Sequence, residues 1–140
     1  MNRFIVLLVF AAATLVGCAT TDRGILDSGD ETQLQRRSYQ SRVFDTTDKE
    51  KVLRAVISTL QDLGFVIDRA DATLGAVSGT KVHPTYRLKI TVSVRPRGNT
   101  QMTVRANAQF NVKPVDDPKP YQDFFSSLER SLFLTAQLGE

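Results

Sequence analysis

The chain has 140 residues, 41% of them hydrophobic and 24% charged, with 18 Lys+Arg against 15 Asp+Glu for a formal charge of +3. That length leaves room for one domain, and the composition excludes a collagenous, low-complexity or wholly disordered chain. The charge bias falls short of the footprint of a nucleic-acid binder, and one Cys with one His makes neither an internal disulfide nor a closed zinc site.

Arg3 and the α-amino group form a short positive segment ahead of Phe4–Leu15, twelve residues that are apolar except for Thr14. Twelve are too few to cross a hydrocarbon core, which takes about 20, but match the apolar region of a signal peptide. Leu15-Val16-Gly17-Cys18 then resembles a bacterial lipobox. The resemblance implies that Cys18 receives a diacylglycerol, that the chain is cut before it, and that the new amine is acylated. Cys18 is then the lipid attachment point and 1–17 a removed leader. Ala19 follows in place of the Asp that holds Gram-negative lipoproteins at the inner membrane, which implies an outer-membrane, periplasm-facing location. Two or three acyl chains suffice for stable anchoring where one gives only marginal binding. Removal of 1–17 leaves 123 residues with 17 Lys+Arg against 15 Asp+Glu.

Residues 19–36 lack a sustained apolar period and are rich in Thr, Asp, Gly, Ser and Gln. With Cys18 they read as a tether (18–36) spanning roughly 24 Å as a random coil. A single α+β domain is expected over 37–140. Ser38–Phe44 reads as a first strand. Thr47 and Glu50 have the spacing of a capping box, Thr47 being the N-cap. Val52, Leu53, Val56, Ile57, Leu60 and Leu63 then recur at helical steps, predicting a helix over Asp48–Leu63 with Gly64 as its left-handed terminator. Phe65–Arg69 and Leu74–Lys81 read as strands around a turn at 70–73, with Gly75 and Gly79 marking a bulge or a close backbone approach.

Two clean alternations follow. Tyr86, Leu88, Ile90, Val92 and Val94 share one face of a strand, and Met102, Val104, Ala106, Ala108, Phe110 and Val112 one face of the next. Period two with a polar opposite face predicts an antiparallel hairpin with one wet side, turning at Pro96–Asn99. Asp117 as cap and Pro118 as first residue open a second helix to about Gln137, its apolar stripe running through Tyr121, Phe124, Phe125, Leu128 and Leu132. The expected fold is a two-layer α+β domain of order β-α-β-β-β-β-α, an antiparallel sheet with both helices on one face.

Tyr39–Phe44, Leu60-Gln61-Asp62-Leu63-Gly64-Phe65, Leu74-Gly75-Ala76-Val77 and Lys81 together resemble a group of small proteobacterial lipoproteins of unassigned activity. The element order is similar to the helix-grip domains of the lipoprotein subunit of the outer-membrane β-barrel assembly machinery, a likeness of topology that fixes no function.

No phosphate-binding glycine loop, metal-ligand cluster or nucleophile elbow is present, so neither a cofactor nor a catalytic set is expected. His83 reads as a loop residue before Pro84. The wet hairpin face is the candidate binding surface: Arg87, Lys89 and Arg95 from one strand, Arg105 from its partner, with the amides of Asn107, Gln109 and Asn111 beside them. Arg suits bidentate contacts with lipopolysaccharide phosphates, peptidoglycan carboxylates or an acidic protein, and the lack of outward aromatics argues against nucleic acid. The expected function is a non-catalytic binding or accessory module in envelope assembly or maintenance. Two further readings are a carrier holding a small apolar or lipidic ligand among Phe110, Tyr121, Phe124, Phe125 and Leu128, and an envelope hydrolase using His83.

Overall fold

The structure, a computed structural model, describes residues 33–137. The expected leader, Cys18 and the tether up to Thr32 lie outside the described residues. Helix α1 (33–40) is followed by β1 (Ser41–Phe44), α2 (Lys49–Asp62), β2 (Val66–Asp71), β3 (Ala76–His83), β4 (Tyr86–Arg97), β5 (Gln101–Phe110), β6 (Lys113–Pro114) and α3 (Pro118–Gln137). Residues expected as the end of the tether and the start of the first strand are thus helical, and β1 is only four residues long. The reason is where consecutive side chains must point. Gln40 donates from Nε2 to the Tyr121 hydroxyl at 3.3 Å, while Tyr39 sets its ring 5.4 Å from that of Tyr121. A strand sends neighbours to opposite faces, whereas a helical turn lets both reach one partner.

The cap of helix α2 lies one residue later than predicted. Asp48, not Thr47, is the N-cap, and its Oδ1 accepts from the Lys51 amide at 2.9 Å. The carboxylate satisfies an amide of the first turn and complements the dipole. The other end follows the sequence closely. Phe65 N donates to Leu60 O and Gly64 N to Gln61 O, both at 2.9 Å, with Gly64 at φ +83°. This is a Schellman terminus, in which only a residue free to adopt positive φ turns the chain. The Leu60–Phe65 motif therefore has a structural job: Leu60 is buried, Phe65 packs against the core, and Gln61 and Asp62 face solvent. Helix α3 begins as expected, with Asp117 Oδ1 accepting from Lys119 N at 2.9 Å and Pro118 first in the helix.

The strands form one antiparallel sheet of order β1-β5-β4-β3-β2. β6 pairs with Gln109 and Phe110 on the edge of β5 that β1 leaves free beyond Arg105. The hairpin strand runs further than predicted, since Pro96 and Arg97 stay paired with Met102 and Gln101. Proline is tolerated because β3 begins at Ala76, opposite Ser93, and the backbone contact at this end is Val94 N to Gly75 O, so Pro96 N lies beyond the partner strand and needs no donor. The expected irregularity falls on the facing strand, where the register shifts between Ile67 and Arg69.

Both long helices cover one sheet face. Val77, Ile90, Val92, Val94, Met102, Val104, Ala106 and Ala108 meet Val52, Val56 and Leu60 of α2 and Tyr121, Phe124, Phe125 and Leu128 of α3 in a single core. This is the two-layer α+β arrangement expected. The coverage is not complete: Phe110 is 46% exposed and Val112 87%, although both continue the apolar alternation. The helices end before the sheet does.

A buried polar node ties the first and last helices to the sheet. The Tyr121 hydroxyl accepts from Ala108 N at 3.1 Å and donates to Val115 O at 2.9 Å, with Gln40 completing its shell. Nearby, Tyr39 donates to Asp116 O at 3.0 Å, and Arg36 pairs with the Asp116 carboxylate at 3.1 Å. Burial first, then the Asp116 charge, hold the Tyr39 phenol above its usual pKa, so it stays protonated and able to donate.

Candidate binding face

Every candidate face residue is exposed: Arg87, Lys89, Arg95, Arg105, Asn107 and Gln109. Register puts them on one side. Lys89 lies opposite Gln109, Thr91 opposite Asn107, Ser93 opposite Arg105, and Arg95 opposite Thr103. Their inward neighbours Ile90, Val92, Val94, Val104 and Ala106 are core residues, so the candidate side chains occupy the face that no helix among the described residues covers. Each cation sits directly across from an uncharged residue. No two like charges oppose each other, an arrangement that avoids cross-strand repulsion.

The cations fall into two groups. Arg87 and Lys89 lie toward the β3–β4 turn, and Arg95 with Arg105 toward the β4–β5 turn. Lys89 and Arg95 are six residues apart on β4, about 20 Å at strand rise. Between them the surface is small and polar: Ser93 pairs with Ala76, and Thr91 with Ser78. A shallow groove of about 240 Å³ follows this strip, with Arg69, Asp71, Lys89 and Thr91 among its lining residues. Among the described residues none of Arg87, Lys89, Arg95 and Arg105 has a carboxylate within ion-pair distance. Arg69 is different, being paired with Asp71 at 3.1 Å.

One expected face residue is not part of this surface. Asn111 adopts φ 56° and turns the chain; its Oδ1 accepts from Arg87 N at 2.9 Å and its amide donates to Arg87 O at 2.7 Å. Its side-chain oxygen and backbone N–H are both engaged locally, as those of Asn in a left-handed turn commonly are. Sequence reasoning also missed Arg69, because the β2 bulge that turns it outward is not visible in alternation.

Asp71 shapes the edge of the face. Its Oδ1 accepts from Leu74 N at 2.8 Å, and this backbone bond, followed by Arg69, holds its pKa below the usual carboxylate value. A depressed folded pKa stabilises the fold above the unfolded pKa, and the contribution is lost as pH falls through the folded value. The melting temperature should therefore decline on acidification below about pH 4. Asp71→Asn, which keeps the oxygen acceptor for Leu74, should flatten part of that decline. An identical slope in wild type and variant would show that Asp71 does not carry it.

Of the residues considered for a ligand site, Phe110 is 46% exposed at the sheet's end and the others are core. Tyr121, Phe124, Phe125 and Leu128 are all at most 1% exposed and pack under the helices. What remains is a cleft of about 170 Å³ beside them, with Leu63, Phe65, Leu88 and Pro120 in its walls and Lys81 and Asp123 at its edge. That is below the roughly 300 Å³ at which small-molecule sites begin. His83, expected in a loop, is instead the last residue of β3, paired with Tyr86 because the strand runs on to the two-residue turn at Pro84-Thr85; its Nδ1 engages Thr85 Oγ1 at 3.0 Å and its ring stacks on Tyr86 at 4.5 Å. Among the described residues no carboxylate pairs with it, and no group of three or more His, Cys, Asp or Glu side chains is placed to hold a metal.

Among the described residues the geometry thus defines an antiparallel α+β sheet domain with one helix-covered and one open, basic face. No protein-family model matches the chain, and no curated protein matches it. Among solved structures, it is similar to the adenylate sensor from AMP-activated protein kinase, crystallised with 5-aminoimidazole-4-carboxamide ribofuranotide. That likeness is 14% identical, covers 66% of this chain and 94% of the other, and has a TM-score of 0.47. A likeness of that size carries no functional argument.

Proposed function

We propose that the chain is a non-catalytic lipoprotein, anchored in the outer membrane through Cys18 and facing the periplasm, where its open sheet face binds an anionic envelope component. The observation that carries the location is the ordered run of Arg3, an apolar dozen and Leu15-Val16-Gly17-Cys18. The likeness to small proteobacterial lipoproteins agrees with it. Among the described residues no helix is long and apolar enough to cross a membrane. The binding role is supported by four cations that, among the described residues, have no carboxylate within ion-pair distance and lie on a face no described element covers. Phosphates of lipopolysaccharide, carboxylates of peptidoglycan or an acidic protein all suit guanidinium groups at this spacing.

Cys18→Ala should move the protein from the outer-membrane fraction to the soluble periplasm or leave it uncleaved. Retention of a processed Cys18→Ala chain in the outer membrane would overturn the anchor. The face is tested separately by in-cell photocrosslinking from Arg87 and Arg105. Both positions should capture the same anionic component, while exposed Gln61, on the opposite layer, should not. Equal capture from all three would remove the sheet face as the binding surface.

A further inference from the structure

The covalent anchor leaves open which end of the domain meets the bilayer. We propose that the end of the sheet built by the β3–β4 and β5–β6 turns is a contact surface for an anionic lipid bilayer. Segments 81–89 and 109–114 together contain Lys81, Arg87, Lys89 and Lys113 and not one carboxylate. Register brings them together: Val82 pairs with Arg87, Leu88 with Phe110, and Phe110 with Lys113. The apolar groups here are open to solvent, with Val82 at 70% and Val112 at 87% exposure. His83, Tyr86 and Phe110 form a continuous row of rings, 4.5 Å and 5.1 Å apart.

The pattern has the chemistry of an interfacial surface. Valine, proline and aromatic side chains at the tip suit the boundary between headgroups and acyl chains, and tyrosine favours that depth. Lysine and arginine set around them complement anionic headgroups within a Debye length. Three of the flanking carboxylates are already engaged: Asp68 accepts from Thr80 at 2.7 Å, Asp123 pairs with Lys119 at 2.8 Å and Asp116 with Arg36 at 3.1 Å, while Asp62 stands exposed beside Leu63, whose carbonyl accepts from Lys81. The opposite end of the sheet differs, since Asp45, Asp48, Glu50 and Asp71 lie in or beside its turns.

The course of the chain points the same way. Helix α1 is held through Arg36 and Tyr39 to Asp116, which follows β6 by two residues. The described chain therefore enters the domain beside this end. Fourteen residues, 19–32, separate it from Cys18, a length that reaches at most about 50 Å. This second argument rests on the anchor reading; the charge and apolar pattern does not.

The test uses the full chain purified from membranes and reconstituted into vesicles of phosphatidylcholine alone or with one quarter phosphatidylglycerol. An environment-sensitive fluorophore is placed at Val112→Cys and, as a control at the opposite turn, at Asn99→Cys. A blue shift with increased emission is expected at 112 in the anionic vesicles, absent at 99, and lost in the Arg87→Gln/Lys113→Gln background or at high salt. An unchanged spectrum at 112, an equal shift at 99, or a shift that follows protein concentration without anionic lipid would overturn the proposal, the last pointing to a second copy of the chain. The mass of the peptide that begins at residue 18 is read from the same sample. A free Cys18 would overturn the anchor while leaving the signal at 112 to decide the tip.

Discussion

Gly75→Ala is expected to destabilise the domain by about 3–4 kcal/mol. Gly75 closes the β2–β3 turn at φ +63°, a conformation that costs an L-residue about 1–2 kcal/mol. Space adds more. A Cβ there would lie 2.5 Å from Val94 O and 2.6 Å from Lys49 Cε. Val94 O is backbone and fixed, since Val94 N donates to Gly75 O at 2.8 Å, whereas the Lys49 side chain can swing aside at the loss of its exposed bond to Thr73 O at 3.0 Å. The turn, β4 and the start of α2 are locked together at one glycine. Gly98→Ala provides the control, because Gly98 has φ +60° but nothing within 4 Å of the added carbon. Its cost should be limited to the backbone, about 1–2 kcal/mol. Denaturant midpoints of the two variants measure the difference directly. Equal losses would show that the close approach to Val94 carries no energy.

Tyr121→Phe is expected to cost about 2–3 kcal/mol while leaving the ring in place. The hydroxyl accepts from Ala108 N and Gln40 Nε2 and donates to Val115 O. Its removal leaves a buried amide without an acceptor, and an unsatisfied buried group costs more than the bond itself contributed. Gln40, only 8% exposed, is stranded at the same time. Replacing it in the double variant Gln40→Leu/Tyr121→Phe should therefore cost less than the sum of the two single changes. Strict additivity would mean that the two side chains do not act as one node. The unfolding slope should stay constant, since the exposed surface is unchanged.

Much of the architecture was legible because it rests on local periodicity. The α2 stripe from Val52 to Leu60 and the β4–β5 alternation are both one-dimensional patterns, and each predicts which side is buried. The Leu60–Phe65 motif was legible as a helix terminus for the same reason: its bonds span five residues. The cap was misplaced by one position because Thr47 and Asp48 both carry suitable oxygens, and the choice is made by which one the chain entering from β1 aims at Lys51 N. The helix at 33–40 was missed altogether. Its partners, Asp116 and Tyr121, are some 80 residues away, and nothing in its own composition announces a buried face.

The candidate face divides in the same way. Alternation alone placed Arg87, Lys89, Arg95 and Arg105 on a polar side. Only the packing of both helices on the opposite layer leaves that side open, and only the turn geometry takes Asn111 away from it while a bulge brings Arg69 to it. By itself the sequence determined the two-layer pairing of amphipathic helices with a half-wet sheet, and it carries the lipobox likeness, because these follow from residues within a few positions of each other. Tertiary structure decided where the helices stop short of the sheet. The apolar residues Phe110 and Val112 follow the same alternation as their buried neighbours, and no local signal records that nothing among the described residues is packed above them. Burial is a property of what arrives from elsewhere in the chain, so the exposed tip could be found only once the helices were in place.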